Sequence, residues 1–207
     1  MARDGQITRE KILAETQSLV LEHGFSGTTI DRILEKTGIT KGAFFYHFKS
    51  KTELGQALLD DFSQRDLNDL YQALTYAKTQ EKEPDKQLLA FVQCFIDSMK
   101  SLTAPYPGCL YAAYNYESAA FEPFIMDKIG DTLKIWRKEI LQLFAAAAYR
   151  AERLRQQDQE ALADMFVTLL EGSFIVAKSM KDASITYRQL QLYHDFLSTL
   201  LTSEDDD

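Results

Sequence analysis

Residues 28 to 53, TTIDRILEKTGITKGAFFYHFKSKTE, constrain the fold more tightly than any other stretch of the chain. Ile30, Ile33 and Leu34 fall on one face of a short helix expected near 29–36. Thr37-Gly38-Ile39 supplies a tight turn, and Gly38 is the residue most able to take a left-handed conformation there. Thr40 is the expected cap of a second helix near 40–47 and, at its exposed start, a candidate DNA contact. Ser50-Lys51-Thr52-Glu53 has the spacing of a capping box, with Ser50 capping a third helix and Glu53 reaching back. A bracing helix, a tight turn and a second helix with small or polar residues at its exposed start form a helix–turn–helix.

The side chains on this frame point to DNA. Lys41, Gly42 and Ala43 form the exposed first turn of the second helix. Gly42 and Ala43 are small enough to let backbone approach base edges closely. Lys41 and Lys51 each fall in the first turn of an expected helix, where the macrodipole disfavours a cation. An anion at the same place gains from both the lysine and the helix-start N–H groups. Tyr46 and His47 close the second helix within reach of phosphate. Phe44 and Phe48, four apart, are expected to pack inward, while Phe45 is suited to a thymine methyl or a sugar. A helical hairpin with solvated lysines shares this periodicity, so the pattern alone leaves both readings open.

Bulk charge argues the other way, because the chain carries a net charge of -8. Its distribution weakens the objection. Residues 1–52 hold eight Lys and Arg against six Asp and Glu, while the remainder holds 15 against 25. A mildly basic module on an acidic body is the result. Two cysteines, Cys94 and Cys109, match no zinc pattern. No paired nucleophile and base, glycine-rich phosphate loop or metal cluster appears, so neither an enzyme nor a cofactor is expected. No run of about 18 apolar residues is present, and no spanning helix is expected. The N-terminus lacks a signal-peptide apolar core.

Helical periodicity continues throughout, with only four prolines and no strand pattern. Ile12, Thr16, Leu19, Val20 and His23 recur at helix spacing, with Gly24 expected to stop that helix. Leu54, Leu58 and Phe62 begin a longer helical stretch. Pro84 suits the first turn of a helix presenting Leu88, Phe91, Val92, Phe95, Ile96 and Met99. A short helix is expected near 109–119, another from Pro123, and two last ones near 158–181 and 186–202. The fold class is therefore all-α. An N-terminal three-helix DNA-binding domain is expected over 1–52, structured from about 7 to 50. A larger helical domain is expected over 53–202, followed by an acidic tail over 203–207.

Residues 106–121 are unusually aromatic. Tyr111 and Tyr114, with Phe91, Phe95, Met99 and Trp136, are candidates to line an apolar cavity with polar tips; ordinary core packing accounts for the same residues. Cys109 is a candidate redox site, against a buried structural cysteine. The last two helices carry broad apolar faces that include Phe166, Leu170, Phe174, Tyr193, Phe196, Leu197 and Leu200. These faces are broader than one small core requires; the alternative is a purely intrachain bundle.

The opening TREKIL, the stretch GFSGTTIDRILEKTGITKGAFFYHFKSKTEL and their spacing resemble the TetR/AcrR family of bacterial transcriptional regulators over about residues 7 to 60. The resemblance implies an all-helical homodimer in the bacterial cytoplasm, usually a repressor, bound to a double-stranded operator and released by a small ligand, with 53–202 as its ligand-binding and dimerisation domain and the apolar faces of the last two helices as the candidate dimer interface. It implies that Thr28 or Thr29 contacts phosphate. It places Lys41, Gly42 and Ala43 at base-reading positions and Tyr46, His47 and Lys51 at backbone contacts. Phe45 departs from a frequent tyrosine, which removes one hydroxyl contact. Some relatives carry a Gly-Cys-Leu motif whose cysteine senses electrophiles or oxidants, and Gly108-Cys109-Leu110 matches it. A thiol-switched regulator and a helical dimer without DNA binding are the alternatives.

Overall fold

A computed structural model describes the backbone of residues 2–202 and the side chains of residues 5–202. The acidic tail expected over 203–207 lies outside the described residues. Ten α-helices and one 3-10 turn make up the described chain, which contains no strand. The residues divide into two compact units. One holds the described residues up to Asp66 together with Cys109–Asp131; the other holds Leu67–Gly108 and the described residues from Thr132 onward.

The first unit contains α1 (Ala2–Gly27), α2 (Ile30–Thr37), α3 (Lys41–His47), the first part of α4 (Lys51–Gln80), α6 (Leu110–Tyr116) and the 3-10 turn Ser118–Ala120. Ile12, Ile33, Phe44, Leu54 and Leu58 are fully buried at its centre, with Leu13, Val20 and Phe48 beside them. α1 packs against α2 and α6. Gly24 was expected to stop α1. The backbone does leave helical geometry there, with a φ of 75° and ψ of 166° that suit only glycine, and a short helical segment follows as far as Gly27.

The second unit contains the rest of α4, α5 (Pro84–Lys100), most of α7 (Pro123–Ala148), α8 (Glu152–Arg155), α9 (Gln159–Met180) and α10 (Ser184–Leu201). Pro84 opens α5, where its missing N–H costs nothing. Asp158 caps α9 by accepting from the Ala161 N–H at 3.0 Å. α10 packs against α5, α8 and α9. Arg137 grips the Asp164 carboxylate with two hydrogen bonds of 2.6 Å, tying α7 to α9.

Burial in this unit reassigns much of the expected dimer interface. Phe166 and Leu197 are 0% exposed and Tyr193 is 2% exposed within the single chain. The Tyr193 hydroxyl donates to the Leu162 carbonyl at 2.7 Å, and its ring lies 6.0 Å from that of Phe166. Leu170 and Phe174 are also buried, Phe174 stacking on Tyr106 at 4.5 Å. Of the seven residues, Phe196 and Leu200 keep appreciable surface. Both helices carry apolar residues beyond those the intrachain core buries, among them Val176 and Leu192.

Candidate nucleic-acid interface

The reading pair is set by caps. Thr29 Oγ1 accepts from the Arg32 N–H at 3.2 Å and starts α2. Gly38 takes φ 70°, ψ 13°, and its N–H reaches the Leu34 carbonyl at 2.8 Å, ending α2 in a left-handed cap. Thr40 Oγ1 accepts from the Ala43 N–H at 3.2 Å and starts α3. Phe44 and Phe48 pack inward as expected, their ring centroids 6.1 Å apart.

Lys41 and Gly42 are exposed at the start of α3, and Ala43 is half-buried. A Cβ built on Gly42 would meet nothing nearer than Thr40 Oγ1 at 4.0 Å. The protein's own packing therefore does not require glycine at this position. Tyr46 is 76% exposed, with its ring edge-on to His47 at 5.0 Å. Phe45 is half-buried against the edge of Phe44 at 5.3 Å.

Two expected contacts are placed differently. Thr28 is 1% exposed, and its hydroxyl donates to the Gly24 carbonyl at 2.8 Å. That side chain is spent on the α1 end, and only the neighbouring Thr29 faces solvent. Lys51 does not project freely: its ammonium lies 3.3 Å from the Ser26 carbonyl and 4.5 Å from the centre of the Phe25 ring. Partial burial lowers the Lys51 pKa, while the Glu117 charge opposes that shift.

Lys49 was missed by sequence reasoning. Its ammonium donates to the Phe45 carbonyl at 3.0 Å, at the C-terminal end of α3 where a cation is favoured. The signal was a lysine just past an expected helix end. The capping box also differs by one residue. Ser50 accepts from the Glu53 N–H at 3.1 Å, but the Glu53 carboxylate accepts from Lys49 N–H at 2.7 Å.

The six candidate ligand residues separate into two groups. Phe91, Phe95, Met99 and Trp136 belong to the second unit. Phe95 lies 5.3 Å from Phe91 and 5.8 Å from Trp136, and both Phe91 and Phe95 touch Phe166. Tyr111 and Tyr114 pack inside the first unit instead. The Tyr111 hydroxyl donates to Asp66 at 3.0 Å, and burial followed by the Asp66 charge pushes its pKa far up. Tyr114 donates to the Gly55 carbonyl, and burial again raises its pKa. Cys109 is buried at the N-cap of α6. Among the described residues, no group of three or more His, Cys, Asp or Glu is placed to hold a metal ion.

Residues 12–58 match the family described as bacterial regulatory proteins, tetR family. Residues 84–192, just over half of the chain, match the tetracyclin repressor-like C-terminal domain. The chain belongs to the TetR family. As a TetR-family protein it is a DNA-binding transcriptional regulator, in a family of regulators rather than enzymes. It is similar to the transcriptional regulator AcuR of Cereibacter sphaeroides, with 25% identity over 177 residues covering 86% of this chain and 79% of AcuR. It is similar to the HTH-type transcriptional repressor DhaR of a Mycobacterium species, with 20% identity covering 82% of each chain. Its fold matches that of a TetR transcriptional regulator from Chloroflexus aurantiacus, with a TM-score of 0.78 and 24% identity over 95% of this chain and 96% of that one. Among the described residues of this TetR-family protein, no helix is long and apolar enough to cross a membrane.

Proposed function

We propose that this regulator is a homodimeric repressor that binds a roughly palindromic operator in the bacterial cytoplasm and is released by a small molecule. The observation that carries the reading is the exposed first turn of α3. Lys41 offers a cation, and Gly42 is bare although nothing in the protein fills the space a Cβ would take. An unrequired glycine on an exposed helix start suits close approach to base edges. Lys41, Gly42 and Ala43 are the proposed readers. Thr29, Tyr46, His47 and Lys51 are the proposed phosphate contacts, with Phe45 against a sugar or a thymine methyl. In this division of labour, residues 1–52 read DNA and residues 53–202 set when they do so.

The dimer reading rests on apolar surface that the chain leaves uncovered. On α9, Met165, Ile175, Val176 and Met180 are exposed, and on α10 Leu192 and Phe196 are exposed. Met165, Gly172 and Val176 recur at helix spacing, and a Cβ on Gly172 would meet nothing within 4 Å. Two such faces on helices that pack together suit a second copy of the same pair. Two copies present two reading helices to two half-sites.

The effector reading rests on the cluster of Phe91, Phe95 and Trp136, whose flat apolar surfaces suit an aromatic or apolar ligand, with Met99 of the same unit as a further candidate. Release is then a population shift toward a state whose reading helices no longer match the half-site spacing. Burial of Cys109 disfavours the thiol switch, which needs an accessible thiolate. Selection of bound duplexes from a random DNA pool tests the proposal. Enrichment of an inverted repeat supports it, and a pool that stays random contradicts it.

A further inference from the structure

Glu117, just past the end of α6, reaches across the first unit to the end of α1. Its carboxylate accepts from the Phe25 N–H at 2.6 Å and from the Ser26 N–H at 2.7 Å. These short, charge-assisted bonds hold the two amides that follow the break at Gly24. Gly24 is needed twice: its φ is positive, and a Cβ there would collide with Glu117 Oε1.

The same α1 end holds Lys51. Ser26 donates its N–H to Glu117 while its carbonyl accepts from the Lys51 ammonium, and the Phe25 ring lies under that ammonium. Attraction between the Lys51 and Glu117 charges is felt by both groups. One carboxylate thus fixes the backbone segment on which a proposed phosphate contact rests.

We infer that Glu117 is a positioning residue for DNA binding, clamping the Phe25 and Ser26 amides so that the Lys51 ammonium is held ready at the start of α4. The inference rests on the reading of Lys51 as a phosphate contact. A glutamine in place of Glu117 offers one acceptor oxygen and an NH2 group to two N–H donors, and it removes the charge facing Lys51. Taking away a negative charge favours DNA by itself. Weaker binding by such a variant therefore reports impaired positioning rather than altered field.

The test uses the full chain and a duplex selected by the wild-type protein from a random pool. Affinities of wild type, E117Q, K51A and the double variant are measured across a salt series, well below each melting temperature. E117Q is expected to weaken binding by about threefold or more, in the range of couplings between residues that share a network. In the K51A background the same change is expected to have a much smaller effect. Unchanged or tighter binding by E117Q, or an equal effect in both backgrounds, overturns the inference. If K51A itself binds like wild type, the phosphate-contact reading fails, and the positioning role fails with it. If K51A weakens binding and E117Q does not, only the positioning role fails. Amide exchange in the wild-type protein needs no variant: Phe25 and Ser26 are expected to exchange slowly, and exchange at the rate of an open loop overturns the clamp.

Discussion

The Tyr114 hydroxyl donates to the Gly55 carbonyl at 2.8 Å, bracing α6 against the start of α4. The Tyr114 ring stacks on Phe121 at 4.1 Å, and Phe25 packs against both. Tyr114→Phe keeps this stack and deletes one buried hydrogen bond. The expected loss is about 1 kcal/mol of unfolding free energy. Urea denaturation with an unchanged slope checks it, and full wild-type stability in the variant would show the bond contributes nothing.

Gly55 lies inside α4, where alanine usually stabilises by about 1 kcal/mol. Here a Cβ would sit 2.8 Å from two carbons of the Phe25 ring. That ring is buried against both Tyr114 and Phe121 and has little room to yield. Gly55→Ala is therefore expected to destabilise by about 1–3 kcal/mol, the usual cost of overpacking. A raised melting temperature in this variant would contradict the packing described.

Much of the reading head was legible in the sequence because its signals are local. Thr29, Gly38, Thr40 and Ser50 each act on backbone within four residues, so their roles follow from spacing alone. Placements that depend on distant chain were not legible. Glu117 lies 92 residues from the Phe25 amide it accepts from, and the burial of Thr28 beside an exposed Thr29 is set by packing rather than by spacing. Tyr111 and Tyr114 group with Phe91 and Trp136 by aromatic character, yet α6 buries its rings in the first unit. On α9 and α10, composition announced an apolar excess, but only packing could assign Phe166 and Tyr193 to the core and Val176 and Leu192 to the surface.

Acid should loosen the α1 end. Burial alone would raise the Glu117 carboxyl, but bonds from Ser26 and Phe25 and the Lys51 charge outweigh it and hold the group below the ordinary glutamate range. A carboxyl with a folded pKa below its unfolded value binds its proton less readily when folded. Its stabilisation is complete above the unfolded value of about 4.3 and is lost as pH falls through the folded one. The difference in stability between wild type and E117Q should therefore be constant near neutral pH and shrink below about pH 4. A difference independent of pH down to acid unfolding would contradict the charged clamp.

The uncovered face of α9 and α10 gives a separate expectation. Leu192 is 65% exposed and Val176 is 45% exposed, so a charge at either costs the isolated chain little. In an interface the same charge is buried without a partner. Val176→Glu and Leu192→Glu are expected to sediment as helical monomers at concentrations where the wild type is a dimer. Operator affinity should fall by a factor of about 10 or more, on the order of what uncoupling the two half-sites costs. Dimers of both variants would place the interface elsewhere.

Base reading by the first turn of α3 is the central claim, and re-selection tests it most directly. Random-pool selection is run in parallel with wild type, K41A, A43S and K51A. Motifs from K41A and A43S should change at one symmetric pair of positions, with about 1–3 kcal/mol of discrimination at stake for each good base pairing. K51A should recover the wild-type motif at uniformly lower affinity, with a salt slope shallower by about one for each phosphate that Lys51 no longer neutralises. Identical motifs from all four proteins would contradict the assignment of Lys41, Gly42 and Ala43 as the residues that read DNA.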